Sequence, residues 1–287
     1  MNQFVHGVVR AVAETFTLPG PILEIGSYQV SGQNEMANFR NLFPGMNYRG
    51  VDIRPGPGVD EVADVEALPY PDESFGTILA LNTFEHVRRF WRGFEEAQRV
   101  LRPDGVLLVT LPFYFHIHDY PSDYWRFTLE ALNVLLEGYP YQILGQQGPR
   151  RRPASVWAVA FREEHLPPSL DQFAHYRSLL GRYARQPLPW ARRLRYQVGR
   201  WLCGRAPFAP YLDREDCETE LRIVPRLPGR GCGDATRANR CRGHAGCAAE
   251  SAAGYAAEDP WPPTWTENTG SPNGEPYRAC RSAEAVR

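Results

Sequence analysis

Pro21-Ile22-Leu23-Glu24-Ile25-Gly26-Ser27-Tyr28-Gln29-Val30-Ser31-Gly32 is the stretch that decides how this chain is read. A short apolar run, Ile22, Leu23 and Ile25, carries one acid, Glu24, and breaks at Gly26 into small and polar residues. That pattern describes a buried parallel strand ending in a tight turn before a helix. A glycine at the turn lets the backbone approach a ligand, and the start of a helix offers unpaired N–H groups. Further along, Tyr48-Arg49-Gly50-Val51-Asp52-Ile53 reads as a second strand with an acid at its carboxyl end. A glycine turn followed by an acid at this distance is how a βαβ unit holds a nucleoside, with ribose hydroxyls on the carboxylate. The dinucleotide fingerprint G-x-G-x-x-G is absent, because Tyr28 stands where a second glycine would fall.

Outward from that stretch, strand and helix patterns alternate. Apolar spacing predicts a helix over 3–16 and another over 33–42. Strands follow at about 59–62 and over 74–81, and a helix over 90–101. Pro103-Asp104-Gly105 predicts a turn before a strand over 106–111, fully apolar and therefore central. Thr128 caps a helix to about 137. Residues 141–147 and 155–162 pair as a closing hairpin. The expected fold is α/β: a doubly wound, mostly parallel, seven-stranded sheet. Ligands of such sheets bind beyond the carboxyl ends of the strands, where Gly26, Asp52, Asp64, Asn82 and Pro112 fall.

Composition narrows the options. The 287 residues carry a formal net charge of −1, which gives no global field for nucleic acid. All 32 basic residues are arginine, so lysine chemistry is excluded. The first residues lack the pattern of a signal peptide, no apolar run suggests a membrane span, and all six cysteines lie at 203 or beyond. A reduced, cytoplasmic protein is expected. Three regions are expected: a domain over 1–163, a basic helical appendage over 164–225, and a disordered tail over 226–287. The appendage has helices over 169–185 and 190–203. Between His165 and Leu212 the only acid is Asp171, against eight arginines. Two readings stand for it: solvated arginine faces, or contact with an anionic membrane surface through 169–205, for which Trp190 and Trp201 are suited.

Four landmarks in order carry a family likeness: Leu23-Glu24-Ile25-Gly26-Ser27, Gly50-Val51-Asp52, Asp64-Val65-Glu66-Ala67-Leu68-Pro69, and Arg99-Val100-Leu101-Arg102-Pro103-Asp104-Gly105. The chain resembles the class I S-adenosylmethionine-dependent methyltransferases, in particular the type 11 group, over roughly 20–137. The resemblance implies S-adenosylmethionine as cofactor. It implies that Glu24 and Gly26 border the methionine end, with Ser27 and Tyr28 in the turn. Asp52 would take both ribose hydroxyls, Ile53 and Val65 would flank the adenine, Asp64 would meet its amino group, and Asn82 and Thr83 would sit near the methionine part. The departure is at Tyr28 and Val30, where relatives commonly have glycines.

Methyl transfer is an in-line displacement at an activated carbon, and it needs a base only when the acceptor keeps a proton. His86, His116 and His118 are the candidates, with Asp119 as an orienting partner. His86 could equally pack behind the strand end and bond a backbone carbonyl. His116 and His118 alternate onto one side of an extended segment. With Asp119 they could form a base pair, a metal site or a polar lip; a metal site needs a third ligand that the pattern does not place, so no metal is expected. Asp123-Tyr124-Trp125-Arg126-Phe127 reads either as a plug at a helix start or as an acceptor-pocket wall whose aromatic faces suit sugars or planar rings. The expected acceptor is a small molecule or glycan, methylated at oxygen. The alternatives are an NAD(P)-dependent oxidoreductase on a similar frame and a non-catalytic cofactor- or partner-binding module.

Overall fold

Each strand of an open α/β sheet buries both faces, so its residues run apolar without alternating, while successive side chains still feed opposite cores. The computed structural model describes residues 3–30, 37–118, 122–148, 150–184, 190–203 and 217–223. The tail over 226–287, Asp119 and residues 33–36 of the helix expected over 33–42 lie outside those residues. What is described of that helix is a 3-10 turn at Arg40–Leu42.

The strands are β1 (Ile22–Ile25), β2 (Tyr48–Asp52), β3 (Glu61–Val62), β4 (Phe75–Leu81), β5 (Leu101–Pro112), β6 (Tyr141–Gln147), β7 (Ser155–Phe161) and β8 (Cys217–Ile223). They form one sheet in the order β3-β2-β1-β4-β5-β7-β6-β8. The first five positions are parallel. The last three pairings are antiparallel. The chain travels outward from β1 through β2 to β3, then restarts at β4 on the other side of β1. The topological switch point therefore lies between β1 and β4.

Helix α1 (Gln3–Thr15) precedes the sheet, α2 (Phe90–Val100) joins β4 to β5, and α3 (Leu129–Leu135) follows β5. Thr128 caps α3, its hydroxyl accepting from the Ala131 N–H at 3.1 Å, as its sequence position implies. On one face of the sheet Leu23, Ile25, Ile78 and Ala80 pack with α2 and α3. On the other, Ile22, Leu79, Leu81 and Trp157 pack with α1 and with α4 (Leu170–Tyr183).

Three features differ from the sequence reading. The expected turn at 103–105 is taken into β5, where the five-residue step from Leu101 to Val106 stands against the step from Phe75 to Thr77 on β4. The surplus is absorbed as a bulge, and the Arg162 and Glu164 N–H groups donate to the Gly105 and Pro103 carbonyls. An eighth strand, β8, pairs along β6. Finally, the boundary at 163 is not a boundary of the core: α4 buries Tyr176, Leu179 and Leu180, and residues 1–229 form one compact unit. Fully buried Trp157 donates from Nε1 to the Tyr176 hydroxyl at 2.9 Å and meets Phe4 edge-on. The last helix, α5 (Trp190–Cys203), leaves Trp190 and Trp201 about four-fifths exposed (79% and 82%).

Close approach of backbones joins α1 to α4. A Cβ added at Gly7 would stand 2.5 Å from the Tyr183 carbonyl carbon and oxygen. Main chain cannot swing aside as a side chain can, so the helices would have to separate. Gly7→Ala is expected to cost about 1–3 kcal/mol of stability by urea denaturation, despite alanine's better helix propensity. A variant as stable as the parent would show that the two helices do not pack as described.

Candidate active site

A cavity of about 720 Å³ opens over the carboxyl ends of the parallel strands. Its floor is the join of β1 and β4. The Thr83 hydroxyl donates to the Ile25 carbonyl at 2.9 Å, and the Gly26 and Ser27 N–H groups donate to the Val51 carbonyl. Gly26 has φ 80°, and a Cβ there would meet Thr83 Oγ1 at 2.3 Å. The glycine is thus required twice over, by its backbone angle and by the closeness of the next strand end.

To one side of that join lies the end suited to a nucleoside. Asp52 projects from β2 with its side chain only 11% exposed. Its oxygens accept from the Tyr28 N–H (3.3 Å) and the Arg54 N–H (3.0 Å). These backbone donors orient the carboxylate and leave it acceptor capacity for a diol. Ile53, 58% exposed, lays an apolar surface beside it. Asp64 accepts from the Glu66 N–H at 2.9 Å, and Asp64 and Val65 line the same end. Tyr28 continues the loop with its ring under the Arg54 guanidinium, 4.6 Å from the ring centroid. Val30 also reaches the cavity.

Glu24 and Ser27 do not line it. Period two along β1 puts Glu24 on the face of Ile22, toward α1, where the Tyr48 hydroxyl donates to Oε2 at 2.8 Å. Burial pushes the Glu24 carboxyl up to about 7, against the Tyr48 hydroxyl, which favours the ionised form. Ser27 is 2% exposed and packs against Gly50.

Beyond the join, the cavity turns polar and aromatic. Asn82 closes β4 at φ 52°, its side-chain oxygen accepting from Thr110 at 3.0 Å. Glu85 and His86 sit in the following 3-10 turn, Phe84–His86. The His86 Nδ1–H donates to the Ser122 carbonyl at 2.5 Å, which fixes the tautomer and leaves Nε2 as the lone-pair nitrogen. Burial holds the His86 pKa below its ordinary value. Both readings of His86 therefore meet in one residue, since it bonds a backbone carbonyl and also lines the cavity. The His118 ring stands edge-on to His86, with centroids 4.9 Å apart. His116 also lines the cavity but is exposed, stacked on Phe115, and 6.1 Å from the His118 ring.

Two residues here were not singled out from the sequence. Asp119 lies outside the described residues, and Asp123 is a carboxylate described against His118. Its side chain is 1% exposed, with Oδ2 3.1 Å from His118 Nδ1 and a bidentate bond to Arg126. That arginine, with the His118 N–H, holds the Asp123 carboxyl well below the usual range. Residues 122–128 are irregular, so no periodic signal in the sequence pointed to Asp123. Glu85 is fully buried, and neither of its carboxylate oxygens makes a well-formed hydrogen bond to another described residue. Burial pushes it up to about 8. The aromatic run divides its roles: Tyr124 lines the cavity, whereas Trp125 donates to the Val87 carbonyl and Phe127 packs on Phe90.

Strand-end carboxylates beside a glycine turn at a switch point define a nucleoside-binding α/β domain. Residues 30–109 match the family model of a methyltransferase domain. The match begins after β1 and Gly26. A curated relative, 27-O-demethylrifamycin SV methyltransferase of Amycolatopsis mediterranei, is 47% identical over 49 residues, 17% of this chain and 18% of the relative. Phthiotriol/phenolphthiotriol dimycocerosates methyltransferase 1 of Mycobacterium ulcerans is 36% identical over 101 residues, 31% of this chain and 36% of the relative. The chain thus spans well under half the length of both. Among solved structures, the Burkholderia thailandensis 1,6-didemethyltoxoflavin-N1-methyltransferase, with bound 1,6-didemethyltoxoflavin and S-adenosylhomocysteine, matches at 16% identity and a TM-score of 0.42. That match covers 56% of this chain and 80% of that one.

The pKa of Glu24 makes stability depend on pH. Its folded value, about 7, lies above the unfolded carboxyl value. The stability of the neutral form is fully present below the unfolded value and is lost as pH rises through about 7. Glu24→Gln keeps an acceptor for Tyr48 without the charge. Between pH 5 and pH 8 the parent is expected to lose about 1–3 kcal/mol more than the variant in urea melts. Parallel pH profiles would refute a buried, raised Glu24.

Proposed function

We propose that this domain transfers a methyl group from S-adenosylmethionine to a hydroxyl of a small-molecule or glycan acceptor. The observation that carries this reading is one continuous cavity. It joins the Asp52–Ile53–Asp64–Val65 end to the His86–His118 end across Gly26, Asn82 and Thr83. In this reading the ribose diol donates to Asp52 and the adenine lies on Ile53 and Val65 with its amino group toward Asp64. The methionine part follows Gly26 and Asn82. The acceptor oxygen attacks the methyl carbon in line, the carbon–sulfur bond breaks, S-adenosylhomocysteine departs, and the hydroxyl proton passes to an imidazole or to water. Positioning and exclusion of water supply most of the rate. Oxygen as the accepting atom has the support of one relative, whose name specifies a 27-O-demethylated compound. Half-exposed Tyr124 offers a face for a sugar or planar ring.

Asp52→Ala is expected to weaken S-adenosylhomocysteine binding by about 10- to 100-fold, because the diol loses a charged acceptor. Isothermal titration measures it. An unchanged dissociation constant, or stabilisation of the parent by NAD and not by S-adenosylhomocysteine, would overturn the reading.

We also infer that α5 rests on an anionic lipid surface. Trp190, Leu194, Val198, Trp201 and Leu202 share one side at helical spacing, and all are exposed. The same segment holds four arginines and no acid. Tryptophan suits the headgroup level, and the cationic sequence suits anionic lipid. No helix among the described residues is long and apolar enough to cross a membrane. Co-sedimentation with phosphatidylglycerol-containing vesicles is expected to fall by about tenfold in the double variant Trp190→Ser, Trp201→Ser. Equal sedimentation of parent and variant would sink the idea.

A further inference from the structure

The polar end of the cavity holds three ligand-type side chains on two separate segments. Glu85 and His86 come from the turn after β4, and His118 from the extended segment after β5. One ligand atom from each lies within 4.8 Å of the others. His86 Nε2 stands 3.8 Å from Glu85 Oε1.

Their surroundings match what a metal ion asks of its ligands. A metal-bound imidazole coordinates through one nitrogen while the other donates to a carbonyl or carboxylate, which fixes the tautomer and aims the ring. His86 has this arrangement, with Nδ1–H on the Ser122 carbonyl and the Nε2 lone pair toward Glu85. His118 has its Nδ1 3.1 Å from Asp123, whose carboxylate is itself gripped by Arg126. Glu85 supplies the second, independent observation. A fully buried carboxylate without a well-formed hydrogen bond to another described residue is costly unless something neutralises it, and a cation would. Arg126, whose charge acts on Glu85, is already committed to Asp123.

We propose that Glu85, His86 and His118 bind one divalent d-block cation at the acceptor end of the cavity. Two imidazoles and a carboxylate suit zinc or a similar ion and leave a fourth position toward the cavity for an acceptor oxygen. Naming that oxygen rests on the methyl-acceptor reading above; metal binding itself does not. Atoms each about 2 Å from one ion at a tetrahedral angle stand roughly 3.3 Å apart. The present separations exceed that by at most roughly 1.5 Å, a gap within reach of side-chain torsions.

The test uses the full chain, its cysteines first capped with iodoacetamide and any metal removed with a chelator. It is then titrated with Co2+, whose visible bands report imidazole and carboxylate ligation, and Zn2+ displaces it. The expected result is uptake of one equivalent, with affinity about 100-fold or more weaker in Glu85→Gln, in His86→Ala and in His118→Ala. S-adenosylhomocysteine affinity should stay within about twofold in the same variants, since the nucleoside end is untouched. If Glu85→Gln does not fold, His118→Ala, at the more exposed residue, decides alone. No saturable Co2+ uptake by the parent, or equal uptake by the variants, overturns the metal site. Loss of S-adenosylhomocysteine binding by the parent would instead overturn the cofactor reading and leave the metal result standing.

Discussion

The site depends on how closely the ends of β1 and β4 approach each other. The Thr83 hydroxyl reaches the Ile25 carbonyl, and Gly26 carries no side chain to hold the two apart. Were the strand ends forced apart, the carboxylates on the β2–β3 side and the imidazoles on the β4–β5 side would no longer share one floor. The reason for the approach is topological. β1 and β4 are neighbours in the sheet, but the chain leaves them in opposite directions, so no connecting segment crosses the gap.

A second set of bonds fixes the far wall. The Glu85 carbonyl accepts from the Tyr124 and Trp125 N–H groups, Trp125 Nε1 reaches the Val87 carbonyl, and His86 reaches Ser122. Phe90, Trp125 and Phe127 pack edge to face behind these bonds. The run Tyr124-Trp125-Arg126-Phe127 therefore serves both as a plug and as a wall, with Tyr124, unlike Trp125 and Phe127, lining the cavity. Backbone carbonyls do most of the joining. This explains why a turn of ordinary composition, Thr83 to Val87, can hold a buried carboxylate in place.

Much of this was legible in the chain. Gly26, Asp52, Asp64 and Asn82 could be placed because apolar runs mark strand ends, and strand ends are where such sheets bind. Glu24 could not, because which face a side chain takes depends on where a four-residue strand starts, and a step of one residue reverses it. The pairing of Asp123 with His118 depends on the path of an irregular segment, which has no period to read. The burial of Glu85 follows from packing by distant residues. The β8 strand was legible and missed: Cys217-Glu218-Thr219-Glu220-Leu221-Arg222-Ile223 alternates strictly. The basic stretch before it suggested helices throughout. The turn expected at 103–105 was the opposite case, a true turn composition absorbed into a long strand as a bulge.

The packing of α1 bears on how the chain is made. Phe4 rests on Trp157, and Glu14 accepts from the Tyr183 hydroxyl at 2.8 Å, across a separation of 169 residues. Helix α1 thus has its partners far along the chain. Until those partners emerge from the ribosome, Phe4, Val5, Val8, Val9 and Val12 present an uncovered apolar stripe on the nascent chain. Contacts of such long range also slow closure of the core, because distant segments must be brought together before their packing stabilises them. A helix that looks like a simple lid on the finished sheet is, during synthesis, an apolar segment open to capture by chaperones and to unwanted association.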